Sequence, residues 1–186
     1  MIRGKKTRLR ALEHSDLANF VVWINDPDVR RFMQIRYPLS MAAEETWWRD
    51  FNQQDRDLIF AIENEHGVHI GNLGLHKIER ENRQALLGII IGDKGHWGRG
   101  YGSDAIGALL RWAFDNLNLN RIHLTVWSYN TRAIRCYEKC GFRHEGIMRQ
   151  ARYYDGQYHD EWMMAILRDE FLNAHQEETQ YENGQD

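Results

Sequence analysis

Five glycines crowd the stretch from Gly92 to Gly102. The run Gly95-His96-Trp97-Gly98-Arg99-Gly100-Tyr101-Gly102-Ser103 lies between an apolar run and a helix-forming segment. Glycine lets the backbone turn tightly and brings its N–H groups close to a ligand. A helix starting at the end of such a loop adds unpaired N–H donors and the positive end of its dipole. That combination suits a phosphate or pyrophosphate, and Arg99 can add a charge-assisted contact. A Walker-type loop requires Gly-Lys-Ser/Thr, but Gly100 is followed by Tyr101. A dinucleotide fingerprint requires G-x-G-x-x-G in an early βαβ unit. Here Ser103 stands at the third glycine position, and three expected strands precede the one that leads into the loop. A pyrophosphate loop of another class and a plain glycine-rich turn both stay open.

The second stretch begins 28 residues after Gly102, as Asn130-Thr131-Arg132-Ala133-Ile134-Arg135-Cys136-Tyr137-Glu138-Lys139-Cys140-Gly141-Phe142. Asn130 is a good N-cap. Gly141 suits the position after the helix, with Phe142 packing back. Ala133, Tyr137 and Cys140 then share one face. Tyr137 reads as a half-buried helix tyrosine, the commoner fate of such residues.

Together the two stretches resemble the GCN5-related N-acetyltransferase (GNAT) superfamily. Trp97-Gly98-Arg99-Gly100-Tyr101-Gly102 is similar to its (Gln/Arg)-x-x-Gly-x-(Gly/Ala) loop. Asn130-x-x-Ala133 to Tyr137 and Gly141-Phe142 are similar to its second motif, at matching separation. The start, Thr7 to Leu17, and the ending around Asp155-Gly156 resemble the branch of ribosomal-protein alanine and spermidine acetyltransferases. The resemblance implies a sheet that splays between 85–91 and 121–126, with acetyl-CoA, as acyl-donor cosubstrate, in the split. It implies that the backbone of Ile89, Ile90 and Ile91 meets the pantetheine arm. Trp97, Gly98, Arg99, Gly100, Tyr101, Gly102 and Ser103 would hold the pyrophosphate, and Asn130 would contact the cofactor. Tyr137 would be the general acid beside the sulfur. No metal is implied.

The implied reaction is direct acyl transfer from a thioester to a primary amine, on a protein N-terminus or a small molecule. An alkyl amine with a pKa near ~10.4 is free base in only about one molecule in a thousand at pH 7, so its proton needs an acceptor. The branch often carries that base as Glu in Ala-Glu-Leu-Gly. This chain reads Ala85-Leu86-Leu87-Gly88, without the carboxylate. His76, with a suitable intrinsic pKa, and Glu79 are substitutes, as is a water chain. Trp97 also departs from the loop pattern, at no cost to the loop's amides. The resemblance places the amine site against the N-terminal helices and the last hairpin, at Arg36, Tyr37, Trp47 and Tyr153. Arg30, Arg31, Gln34 and Arg36 stand where polyamine enzymes carry acids. That favours an acceptor with an anionic group, or a peptide N-terminus, over spermidine. The alternatives are a polyamine acetyltransferase and a degenerate acyl-CoA-binding sensor, the latter suggested by Leu86. A homodimer is common among such proteins.

These residues need elements to hold them. The pattern predicts strands at Thr7–Leu12, Leu58–Ile62, Val68–Ile78, Ala85–Ile91, Arg121–Val126, Phe142–Arg152 and Gln157–Leu167. Helices are expected from Ser15 to about Asn25, at Asp26–Phe32, from Ser40 through Phe51, from Ser103 to about Asn116 and at Asn130–Cys140. Asp155-Gly156 is a strong hairpin signal. The expected fold is α/β (α+β): one domain over 1–175, a central mixed seven-stranded sheet with helices on both faces. A frayed acidic tail is expected over 176–186.

The chain has 186 residues, 42% hydrophobic and 27% charged, with net charge −3. That excludes a disordered chain, a collagen-like repeat and a coiled-coil rod, and disfavours a nucleic-acid surface. The longest uncharged apolar stretch, Gln84–Gly92, is nine residues, against roughly 20 for a membrane span. No secretory signal is read after Met1. Two cysteines are too few for a disulfide framework or a four-ligand zinc site. A cytoplasmic protein with reduced thiols is expected, with no membrane or nucleic-acid partner.

Overall fold

Period-two alternation builds the sheet, and glycines and caps decide where its elements stop. The structure, a computed structural model, describes residues 1–51 and 57–174. In chain order the strands are β1 (Ile2–Arg3), β2 (Arg8–Ala11), β3 (Leu58–Glu63), β4 (His69–Glu79), β5 (Gln84–Ile91), β6 (Arg121–Trp127), β7 (Arg143–Tyr154) and β8 (Gln157–Leu167). The helices are α1 (Leu17–Asn25), α2 (Pro27–Arg30), α3 (Met41–Phe51), α4 (Tyr101–Asn116) and α5 (Thr131–Lys139). A further helical segment covers 168–174. The expected tail at 176–186 lies outside the described residues.

The strands form one sheet in the order β1-β2-β3-β4-β5-β6-β8-β7. It has eight strands rather than seven because Ile2 and Arg3 pair with Leu9 and Arg8. A two-residue strand leaves no alternation to read. β5 and β6 pair in parallel and the other neighbours antiparallel. The parallel pair needs a crossover, and α4 supplies it.

The caps mostly follow the sequence. The Ser40 hydroxyl accepts the Ala43 N–H at 3.2 Å, and Asn130 accepts the Ala133 N–H at 3.3 Å. Asp155 and Gly156 turn the last hairpin with φ of 50° and 77°, the left-handed pair that such a two-residue turn requires. Ser15 does not cap α1. A short 3₁₀ turn, His14–Asp16, intervenes. The Asp16 carboxylate there takes the Glu13 N–H at 2.8 Å and the Arg10 guanidinium at 2.7 and 2.9 Å. A buried acid with a bidentate partner thus sets the helix start.

The sheet is covered on both faces. On one, Leu73, Leu75, Ala85, Leu87, Ile122 and Leu124 pack against Ile106, Leu109, Leu110, Ala113 and Phe114 of α4 and against α5. On the other, Ile90 packs under Ile24 of α1 and Val29 of α2. Among the described residues no helix is long and apolar enough to cross a membrane.

Candidate active site

β5 and β6 are joined only at Gln84–Arg121, Ala85–Ile122 and Leu86–His123. Beyond these pairs the strands part, and a cleft of about 740 Å³ opens between them. Each residue of a strand points its N–H and C=O to one edge, and successive residues alternate. The Ile91 carbonyl faces the cleft, where the Trp97 indole N–H donates to it at 2.6 Å. Ile91 and, by alternation, Ile89 therefore turn their N–H groups toward the cleft, while Ile90 turns its own toward β4. All three line the opening, as do Trp97, Gly98, Gly100, Tyr101, Gly102, Ser103 and Asn130.

The glycine loop supplies donors without side chains. Gly100 caps α4 with φ of 87°, a left-handed conformation that a side chain would strain. Among the described residues, no N–H from Gly98 to Gly100 donates to another backbone carbonyl outside the regular elements. The first N–H groups of α4 have no partner within the helix. This row of free donors fits a pyrophosphate. Arg132, Arg135 and Lys139 of α5 add positive charge along the same wall, with the Arg132 guanidinium 3.7 Å from the Trp97 ring centroid. Tyr101 contributes backbone only: its hydroxyl donates to Glu65 at 3.0 and 2.9 Å. Arg99 is exposed and reaches the Gly95 carbonyl at 3.3 Å. The loop is anchored by Asp104, whose carboxylate accepts the N–H groups of Lys5, Lys6 and Thr7 and the Thr7 hydroxyl at 2.7–2.9 Å. Sequence reasoning missed this clamp between the N-terminus and α4.

Tyr137 projects from α5 into the cleft lining. Its ring meets Phe142 edge-on at 5.9 Å. Burial, then the neighbouring thiols of Cys136 and Cys140, push its hydroxyl pKa up, so the phenol keeps its proton at neutral pH. Among the described residues no hydrogen bond engages that hydroxyl.

His76 lies on β4 opposite Leu86. Its Nδ1 is 3.0 Å from Asp57 Oδ2, and the other Asp57 oxygen accepts the Lys77 N–H at 3.0 Å. Burial alone would raise the Asp57 carboxyl pKa, but these hydrogen bonds outweigh it and hold it below the usual range. A carboxylate facing Nδ1 keeps the neutral ring's proton there, leaving the Nε2 lone pair free. Nε2 lies over Gly88, where a Cβ would approach it to 3.0 Å, and His76 lines the same cleft as Tyr137. Asp57 was not singled out in the sequence. The signal was the β3–β4 hairpin: with Leu58 opposite Leu75, Asp57 falls beside His76. Glu79, the other candidate, instead holds Asn82 and Gln84 at 2.7 and 2.9 Å.

The expected acceptor residues scatter. Arg36 and Tyr153 line a second hollow of about 270 Å³ that shares Met33, Gln34 and Trp127 with the cleft. Tyr37 is 79% exposed, and Trp47 stacks on Phe51 at 5.2 Å; both lie outside the two cavities. Glu161, buried in β8, lines the cleft and was not foreseen. It accepts the Thr125 hydroxyl at 2.7 Å and faces Arg152 Nε at 3.4 Å. Glu44, buried in α3, has its carboxyl pKa pushed up to about 7 by burial. Among the described residues no group of three or more His, Cys, Asp or Glu could hold a metal ion.

Residues 6–143 match the acetyltransferase (GNAT) domain family. The chain is 30% identical over 175 residues to the N-acetyltransferase p20 of Bacillus licheniformis, covering 90% of this chain and 96% of that protein. It is 30% identical over 165 residues to the spermidine N(1)-acetyltransferase of Vibrio cholerae, covering 89% and 95% of the two chains. The crystal structure of the Vibrio cholerae spermidine N-acetyltransferase with CoA and spermine superposes with a TM-score of 0.84, covering 89% of this chain and 98% of that one.

Proposed function

The chain belongs to the GNAT acetyltransferase family, and we propose that it moves the acetyl group of acetyl-CoA directly onto a primary amine, of a small molecule or a protein N-terminus, in the cleft between β5 and β6. One observation carries this reading: His76 and Tyr137 line one cleft whose loop end presents free N–H donors.

Bound in the cleft, acetyl-CoA supplies an activated thioester carbonyl. The N–H groups of Gly98 to Ser103 hold the pyrophosphate, and those of Ile89 and Ile91 offer donors where negative charge develops on the carbonyl oxygen. His76 Nε2 takes the amine proton, and the resulting imidazolium is stabilised through Nδ1–H by Asp57. Tyr137 gives its hydroxyl proton to the departing thiolate. The His76–Asp57 pair fills the role left open by Leu86, which argues against a degenerate binding protein.

A second reading, acetylation of a polyamine, is favoured by the likeness to the Vibrio cholerae enzyme and by Glu161, a carboxylate on the cleft wall able to face an ammonium. Free-thiol release from acetyl-CoA, measured with peptides, amino acids, amino sugars and polyamines, separates the two. Release above the no-amine control with a non-polyamine class supports the main reading. Release with polyamines alone supports the second. Thermal stabilisation by acetyl-CoA without release from any amine contradicts both.

A further inference from the structure

The hollow beside the cleft has an unbalanced wall. Arg30 at the end of α2 and Arg31 and Arg36 beyond it line the hollow together with the hairpin residues Arg152, Tyr153 and Tyr154, and the one acid on the wall is Asp155. Arg152 is already partnered by Glu161. Among the described residues Arg30, Arg31 and Arg36 make no ion pair. Elsewhere in the chain arginines do find acids: Arg10 holds Asp16 and Glu63, and Arg143 holds Glu170. The Arg31 guanidinium lies over the Phe32 ring, 4.9 Å from its centroid, and Arg30 and Arg36 have no carboxylate partner among the described residues, so the wall of this hollow of about 270 Å³ carries an excess of positive charge that an anion entering it would offset. The segment is also fixed in place. The Arg31 carbonyl accepts the Tyr129 hydroxyl at 2.8 Å, and Leu39 exchanges two hydrogen bonds of 2.8 Å with the Asn25 side chain.

Away from the positive α5 wall, the charge changes sign where the hollow meets the cleft beside Glu161. Trp127 lines both cavities and stands opposite Glu161 in the β6–β8 register. Glu161 and the His76–Asp57 pair belong to the cleft end, the unpaired arginines to the hollow. An acceptor with an ammonium at one end and an anion at the other matches this gradient. A polycation reaching from the cleft into the hollow would set a second ammonium among the guanidinium groups.

We propose that the acceptor amine carries an anionic group, a carboxylate or a phosphate, that docks between Arg30, Arg31 and Arg36 while its nitrogen faces the cleft. This rests on the acetyl-transfer reading above and names its substrate class.

The test is thiol-release kinetics on matched amines: ethanolamine against O-phosphoethanolamine, glucosamine against glucosamine 6-phosphate, alaninamide against alanine, with spermidine alongside. At least one anion-bearing member should exceed its neutral partner in kcat/KM by about tenfold or more, as expected for charge-assisted pairing to arginine. Which pairs respond tells phosphate from carboxylate. The double substitution Arg30→Glu/Arg36→Glu should collapse that difference, with thermal stabilisation by acetyl-CoA retained as the sign of a folded donor side. Turnover on neutral amines or spermidine with no anion preference overturns the proposal and leaves the acetyl-transfer reading standing. Absence of turnover on every amine overturns both.

Discussion

The two ends of the cleft are built from different material. The loop end offers backbone: N–H groups from Gly98 to Ser103, the edge of β5, and a helix start whose cap, Gly100, has φ of 87°. The proposed acceptor end offers side chains: Arg30, Arg31 and Arg36, the pair Glu161–Arg152, and an aromatic group in which Trp127, Tyr129 and Tyr154 lie 5.2–6.2 Å apart. Backbone recognition constrains conformation, so it leaves glycines and caps at fixed spacing. Side-chain recognition constrains only what meets in space, and those residues come from segments more than 90 positions apart.

If this contrast holds, the loop end should break through conformation rather than through side-chain loss. Gly100→Val forces a β-branched residue to φ of 87°. It should raise the acetyl-CoA dissociation constant by about 100-fold, the equivalent of some 3 kcal/mol of strain. Arg99→Ala, which removes an exposed side chain from the same loop, should shift it no more than about threefold. Calorimetry on both variants checks the pair; equal losses would place recognition in the side chains.

Between the two ends stands the His76–Asp57 pair. Asp57→Asn should lower kcat by about tenfold while the acetyl-CoA dissociation constant stays put, because Asp57 orients a ring rather than holding the cofactor. In a His76→Ala background the same substitution should cost nothing more. An additive loss would show that Asp57 acts elsewhere.

The smallest effect concerns stability. The Glu44 carboxyl, pushed up to about 7 from an ordinary 4.5, keeps its proton in the folded protein where the unfolded chain has lost it. Folding stability from this group is therefore full at low pH, falls as pH rises from about 4.5 to about 7, and is flat above. Glu44→Gln should gain about 1–2 kcal/mol at pH 8 and nothing at pH 4, read by thermal melts. A gain at pH 4 would mean that the carboxyl is not the cause.

This division also explains what was legible in the sequence. The strand and helix order, the Ser40 and Asn130 caps and the Asp155-Gly156 turn follow from local patterns. The short strand Ile2–Arg3 does not, because two residues carry no period. The residues expected on the donor side, Arg99 apart, line one cleft, although only the alternation along β5 separates Ile89 and Ile91 from Ile90. The acceptor side could be named only as a region. Tyr37 and Trp47 are aromatic and near in sequence, but nothing local says which way a side chain on α3 or its leading loop turns. Asp57 lay within reach, since strand register alone sets it beside His76. Glu161 and Asp104 did not, because their partners Arg152 and Thr7 are chosen by packing.

The most direct test of the account is Tyr137→Phe, with kcat for amine-dependent thiol release and the acetyl-CoA dissociation constant measured on the same preparation. In the proposed reaction the phenol gives its proton to the leaving thiolate, so kcat should fall by about 100-fold with the dissociation constant unchanged. Wild-type turnover in the variant would contradict it, because the one hydroxyl assigned to the leaving group would then do nothing.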